Sequence, residues 1–177
     1  MARYSCEEIH RLLLESDSTI THERGIKLEQ LSKYLFEKIP GVSFLEKNFL
    51  DAQRAHEIDI AFWNPQNISP LNFLDAILII ECKNTGRPVG SSDVGWFIRK
   101  LQVRGSRHGI LIALNGITGE SDGISCAHSE VLNALTRDGI KILVVTREEI
   151  TGLSDTQDLV NILKEKELQL TLYRTIS

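Results

Sequence analysis

No stretch of this sequence approaches the roughly 20 consecutive apolar residues that a membrane span requires. The amino-terminal MARYSCEEIHRLLLES carries acids where a secretory leader would carry an uninterrupted apolar core. Both absences point to a cytoplasmic protein with no membrane partner. Cysteine is scarce: Cys6, Cys82 and Cys126 are odd in number and far apart. With no CxxC pair, and with His10, His22, His56, His108 and His128 scattered, zinc-ligand spacing is missing and free thiols in a reducing compartment are expected. Only four prolines occur, no window is of low complexity, and no period repeats, so disorder is not expected beyond the ends. No glycine-rich turn follows the first apolar strand pattern, which argues against a doubly wound, flavodoxin-type domain. Excess positive charge is missing too: the net charge of −4 is a poor footprint for a phosphate binder.

The distribution of charge is more informative than its sum. Between residues 87 and 108, Arg87, Arg99, Lys100, Arg104 and Arg107 face one acid, Asp93, so this segment carries +4 and the remainder −8. A basic stripe on an acidic body can follow a nucleic-acid backbone, although a charged helix face is more often simply solvated. At 177 residues, 42% hydrophobic and 25% charged, the chain suits one domain over 1–177, with a core over about 20–146 and a carboxyl-terminal extension over 147–177.

Periodicity predicts a helix near 5–16, opened by the Ser5/Glu8 capping pattern, and a second from Thr21 to Ile39, where Leu28, Leu31, Leu35 and Ile39 recur and Pro40-Gly41 stops the turn. Gly25 inside that helix suggests a close approach by backbone or ligand. VSFLEKNFL (42–50), HEIDIAFW (56–63) and DAILIIEC (75–82) read as an antiparallel meander, the first link turning at Asp51 to Arg54. The second link, NPQNISPLNF, is long and polar and is expected to protrude, within reach of substrate. SSDVGWFIRKLQVRG reads as a helix with Val94, Phe97, Ile98 and Leu101 inward. GILIALNG (109–116) and IKILVVT (140–146) read as buried strands around a helix from Ser125 to Arg137, followed by a helix from Asp155 to Lys166. LQLTLY, with Leu168, Leu170 and Leu172 alternating, is expected as an edge strand for pairing with another chain. The order α-β-β-β-α-β-α-β implies an α/β domain whose mixed sheet carries helices on both faces.

One run stands out. LDAILIIECKN ends an apolar strand in Glu81-Cys82-Lys83, and the two-residue period puts Glu81 and Lys83 on one face. HEIDIAFW puts Glu57 and Asp59 on one face of the preceding strand by the same rule. Two acids and a lysine converging from adjacent strands supply the electrostatics to hold a hard divalent cation against a phosphodiester. Glu29 lies beside the apolar stripe of the long helix.

An acid on the first long helix (Glu29), an aspartate in the second strand (Asp59) and ExK at the end of the third (Glu81, Lys83) together resemble the PD-(D/E)XK nuclease superfamily. The continuation through GILIALNGITG and IKILVVT is similar to the Mrr-type restriction endonuclease catalytic domain. The resemblance covers roughly residues 20 to 146. It implies a restriction endonuclease-like fold and a Mg²⁺- or Mn²⁺-dependent endonuclease acting on DNA, RNA not being excluded, in restriction, antiphage defence or repair. By position, Asp59, Glu81 and the Cys82 carbonyl would be metal ligands, Lys83 would stand beside the attacking water, and Glu29 would touch the metal directly or through another group. Ile58 stands where the family motif has proline. A homodimer or a partner protein is implied as the source of specificity or as a trigger, since no separate reading domain is evident.

Each residue also has a plainer role open to it: Asp59 with Lys83 as a cross-strand ion pair, Glu29 paired with Arg24 or Lys33 on its own helix, Glu81 facing solvent. Glu57 is a further ligand or a rim residue, Gln102 a residue near the site or an ordinary helix polar group. Trp63 and Trp96 read as core or interface residues. A catalytically silent nuclease-fold subunit and a structure-specific junction resolvase remain the alternative functions.

Overall fold

The computed structural model describes residues 1–18, 20–50, 57–119 and 126–176. The turn expected at Asp51 to Arg54, His56, and the first residue of the helix expected from Ser125 lie outside the described residues. Three strands, β1 (Ser43–Leu50), β2 (Glu57–Trp63) and β3 (Ile77–Lys83), form an antiparallel meander; β4 (His108–Ala113) and β5 (Lys141–Val145) then add in parallel, giving one mixed sheet in the order β1-β2-β3-β4-β5. Among the described residues six α-helices accompany it: α1 (Cys6–Glu15), α2 (Thr21–Glu37), α3 (Ser91–Arg104), α4 (Ala127–Asp138), α5 (Arg147–Thr151) and α6 (Thr156–Leu168).

The local causes are visible in the residues. The Ser5 side chain accepts from the Glu8 N–H and starts α1. Ile77 to Ile80 and Ile110 to Ile112 are β-branched or leucine throughout, favouring strand and burial on both faces. Left-handed Gly105 and Gly139 end α3 and α4, where a residue with a Cβ would be strained. Parallel partners β3 to β4 and β4 to β5 are joined by helices, as a parallel crossover requires.

The helices divide between the two sheet faces. α2 lies on the face of Ile60, Phe62 and Cys82: Phe36 packs on Phe62 with ring centroids 5.6 Å apart, and Ser32 Oγ sits 3.2 Å from Cys82 Sγ. α3 lies on the opposite face, which carries Glu81 and Gly109. There Lys100 reaches Glu81, and a Cβ on Gly109 would stand 2.5 Å from Leu101 and 2.8 Å from Phe97, so this helix approaches closer than any side chain at 109 would permit. α4 packs beside α3.

Several sequence expectations are corrected here. LQLTLY is no edge strand: Gln169–Tyr173 continues α6 as a π-helical turn, leaving Leu168 and Leu172 exposed, so strand pairing through this segment has no basis. Leucines at every second position satisfy a widened helix as well as a strand, and the preceding helix decides. The loop 64–76 is tied down rather than protruding. Asn64 Nδ2 donates to the carbonyls of Leu71 and Asp75, and Leu71 and Leu74 are buried. It also joins the far ends of β2 and β3, away from Asp59 and Glu81. Among the described residues nothing lies within 4 Å of a Cβ placed at Gly25, so no approach by their backbone explains this glycine. Trp63 and Trp96 are 45% and 51% exposed and do not belong to the core.

Candidate active site

The antiparallel register pairs Ile60 with Ile80 and Ala61 with Ile79. Continued by one residue it sets Asp59 opposite Glu81, on the same sheet face. The ladder closes before that step. The Cys82 N–H donates instead to Asp59 Oδ2 at 2.7 Å, so an aspartate side chain takes the position of a backbone acceptor where the two strands part. The N–H and C=O of a strand residue project to the same side, so the Cys82 carbonyl is also directed toward β2.

Glu81 is 1% exposed and meets two ammonium groups. Lys83 Nζ lies 3.1 Å from Oε1, and Lys100 Nζ donates to Oε2 at 2.7 Å. The plainer reading of Lys83 is thus half met: it forms an ion pair, with Glu81 rather than Asp59. The reading of Glu81 as a solvent-facing acid is overturned. Lys83 keeps a side chain 27% exposed at the rim.

These charges work unequally on one another. Burial first, and then the negative charge of Glu81, push Asp59 up to about 6, against the downward pull of the Cys82 N–H, Lys100 and Lys83. Burial pushes the Lys83 ammonium down, but Glu81, its hydrogen bond and Asp59 outweigh that and raise it on balance. At neutral pH Lys83 is a cation that donates hydrogen bonds.

Lys100 is the residue sequence reasoning misplaced. As a surface cation for phosphate it is excluded: it is 4% exposed and committed to Glu81. The signal was available, since Lys100 falls between Phe97 and Leu101 on the inward stripe of α3, and a charge on an apolar face demands a partner. The basic segment as a whole does not form one stripe. Arg104 donates to the Lys100 carbonyl at 3.0 Å. Arg99 and Arg107 line a polar pocket with Asp138 where α3 and α4 end, at the edge of the sheet away from Glu81. Arg87 is exposed on the connection that leaves the carboxyl end of β3. Gln102 donates to Asp138 at 2.9 Å and does not approach Glu81.

The charge of Glu29 acts on Cys82, the neighbour of Glu81. Glu29 belongs to α2, on the other face of the sheet, where Asn48 Nδ2 donates to it at 3.3 Å and Lys47 Nζ lies 3.8 Å away, in place of the expected Arg24 or Lys33. Burial, with Glu57 adding to it, raises the Glu29 carboxyl despite Asn48 and Lys47. Glu57 is exposed at the start of β2. Among the described residues no three His, Cys, Asp or Glu side chains gather closely enough to hold a metal ion. The donors that do converge are two carboxylates, Asp59 and Glu81, and the Cys82 carbonyl. This all-oxygen set suits one hard divalent cation completed by water and a phosphate oxygen, and it offers nothing to a thiophilic metal. Asp59, raised by burial first and by Glu81 second, is a carboxylate that a nearby cation would relieve.

Beside this group, at the carboxyl ends of β4 and β5, lies an open cleft of about 700 Å³ lined by Leu114, Asn115, Gly116, Thr146 and Arg147, among others. Asn115 Nδ2 donates to the Thr85 carbonyl and Asn84 to the Ser16 carbonyl, joining the cleft wall to the segment that leaves β3. Compared with known proteins, the chain is matched by no family model and by no curated protein.

Proposed function

We propose that this chain is a metal-dependent endonuclease of the restriction endonuclease-like fold, hydrolysing phosphodiester bonds of DNA in restriction, antiphage defence or repair. The observation that carries this reading is the meeting of Asp59, Glu81 and Lys83 where β2 and β3 part, with Asp59 held unfavourably at about 6 by burial and by Glu81. A Mg²⁺ or Mn²⁺ ion held by Asp59, Glu81 and the Cys82 carbonyl would supply an acidified water and charge neutralisation at the phosphoryl oxygens. The chain's own residues do the rest. The Cys82 N–H fixes the Asp59 rotamer. Lys83, cationic and anchored on Glu81 Oε1, presents its remaining N–H donors at the rim, where they orient a water or a phosphate oxygen rather than remove a proton. Arg87 extends positive charge outward from that rim, and the neighbouring cleft offers a surface for the polymer.

One observation favours a second reading, a catalytically silent subunit that binds nucleic acid or a partner protein: both Glu81 oxygens already meet lysines. The experiment is cleavage of supercoiled, linear, single-stranded and four-way-junction DNA, and of RNA, in Mg²⁺, Mn²⁺ or chelator, beside Asp59→Ala and Lys83→Ala. Cleavage by the native chain that both substitutions abolish, with folding intact, supports the enzyme. Cleavage that survives them sinks the site, and binding without cleavage in every metal supports the silent subunit. A junction preference together with dimers in solution would select the resolvase.

A further inference from the structure

The second lysine at Glu81 is not needed by the motif that points to this site, yet its contact is shorter than that of Lys83 and more deeply buried. Lys100 Nζ to Glu81 Oε2 is 2.7 Å, with the two side chains 6% and 2% exposed. A buried ammonium at that distance is charge-assisted and has no water to exchange with, so it holds Oε2 in one orientation. The helix that carries Lys100 is seated by Leu101 and Phe97, whose side-chain ends pack on the bare backbone of Gly109. Only Oε1 of Glu81 is turned toward the rim, where Lys83 is. With Oε2 held by Lys100, Glu81 has one carboxylate oxygen left to share with Asp59, enough for one cation and not for two bridged by a shared carboxylate.

Resting on the nuclease reading above, we propose that Lys100 is a positioning residue acting as a built-in cation: it holds Oε2 of Glu81 permanently, so that the site takes a single divalent ion between Asp59 and Glu81 Oε1. Two opposing effects make this testable by sign. If Lys100 merely repelled a cation, removing its charge would tighten metal binding. If it positions Glu81, removing it frees the carboxylate to turn wholly onto Lys83, and binding weakens.

The test is calorimetric titration of the metal-free full chain with Mn²⁺, with bound Mn²⁺ counted by electron paramagnetic resonance, for the native chain, Lys100→Met, Lys100→Arg and Asp59→Asn, each checked for folding by circular dichroism. The expected result is one Mn²⁺ per native chain and an affinity lower by roughly 10- to 100-fold in Lys100→Met, the loss seen when residues that orient metal ligands are removed. Lys100→Arg, which keeps the charge but displaces it, is expected to recover part of that loss. Should Lys100→Met not fold, Lys100→Arg and the native stoichiometry carry the test. Two Mn²⁺ per native chain, or an affinity unchanged or tightened in a folded Lys100 variant, overturns the proposal while leaving the nuclease reading standing. A native chain that binds no Mn²⁺ overturns both.

Discussion

The two ends of β3 and β4 each carry a half-buried group of two acids and two bases, and the groups behave in opposite ways. At the outgoing end of β3 stand Asp59, Glu81, Lys83 and Lys100. Before β3 and at the start of β4, Asp75 accepts from the N–H groups of Arg107 and His108 at 2.8 and 3.1 Å and meets His108 Nδ1 at 2.9 Å, while Glu167 from α6 pairs with Lys141 and lies 3.7 Å from His108 Nε2. In this second group, despite burial, His108 and the N–H donors hold Asp75 low, His108 and Lys141 hold Glu167 low, and the two acids hold His108 high. The charged forms of Asp75, Glu167 and His108 are each favoured by folding. In the first group Asp59 is disfavoured. The lesson is that formal neutrality does not make a charged cluster structural. Pairing geometry does, and the group left electrostatically frustrated is the one to suspect of chemistry.

The comparison can be broken most forcefully at Glu81. Replacing it with Ala leaves Lys100 buried without a partner and is expected to cost about 3–5 kcal/mol in denaturant unfolding. The double change Glu81→Gln/Lys100→Met should recover much of that loss. Asp75→Ala, which strands two backbone donors and His108, is expected to cost about 2–3 kcal/mol by the same measurement. A loss at Asp75 as large as that at Glu81 would erase the distinction between the two ends.

A sharper test uses pH. Because folding raises Asp59 from 3.8 to about 6, its contribution is fully present below pH 3.8 and is lost as pH rises through about 6. In chelator, Asp59→Asn should therefore stabilise the chain by about 2 kcal/mol at pH 8 and have little effect at pH 4. The second group has the reverse acid limb. The contributions of Asp75 and Glu167 are present above their ordinary values of 3.8 and 4.5 and fade as pH falls below them, whereas that of His108 is present below 6.5 and fades as pH rises through its higher folded value. His108→Gln should cost about 1 kcal/mol at pH 6 and less at pH 9, followed by thermal melting. A pH-independent loss would show that His108 contributes packing alone.

Much of the architecture was legible because these strands are written in β-branched residues and leucine, with caps and glycines marking the helix ends. The three-strand meander and the α/β continuation follow from that spelling. Asp59 and Glu81 could be placed side by side because a strand has only two faces. What the sequence could not convey was which way long side chains reach. Lys100 was indistinguishable from Arg99 by type, and only its place on an apolar stripe separates them. Glu29 occupies the expected helix, yet a helix residue one turn away can meet either face of a sheet edge, and it meets Asn48 and Lys47. The leucines of LQLTLY fit two periods, and the polar loop after Trp63 was bound inward by Asn64, whose hydrogen bonds no local pattern announces.

The missing methyl at Gly109 reaches further than its size suggests. Because the side-chain ends of Leu101 and Phe97 rest on the β4 backbone there, residue 109 bears on the seat of the two α3 residues that flank Lys100. Adding a single carbon there would displace Leu101 and Phe97 on either side of the lysine, with no reacting group altered. The calibration of the charged centre is thus written on a different strand, in a residue with no chemistry of its own.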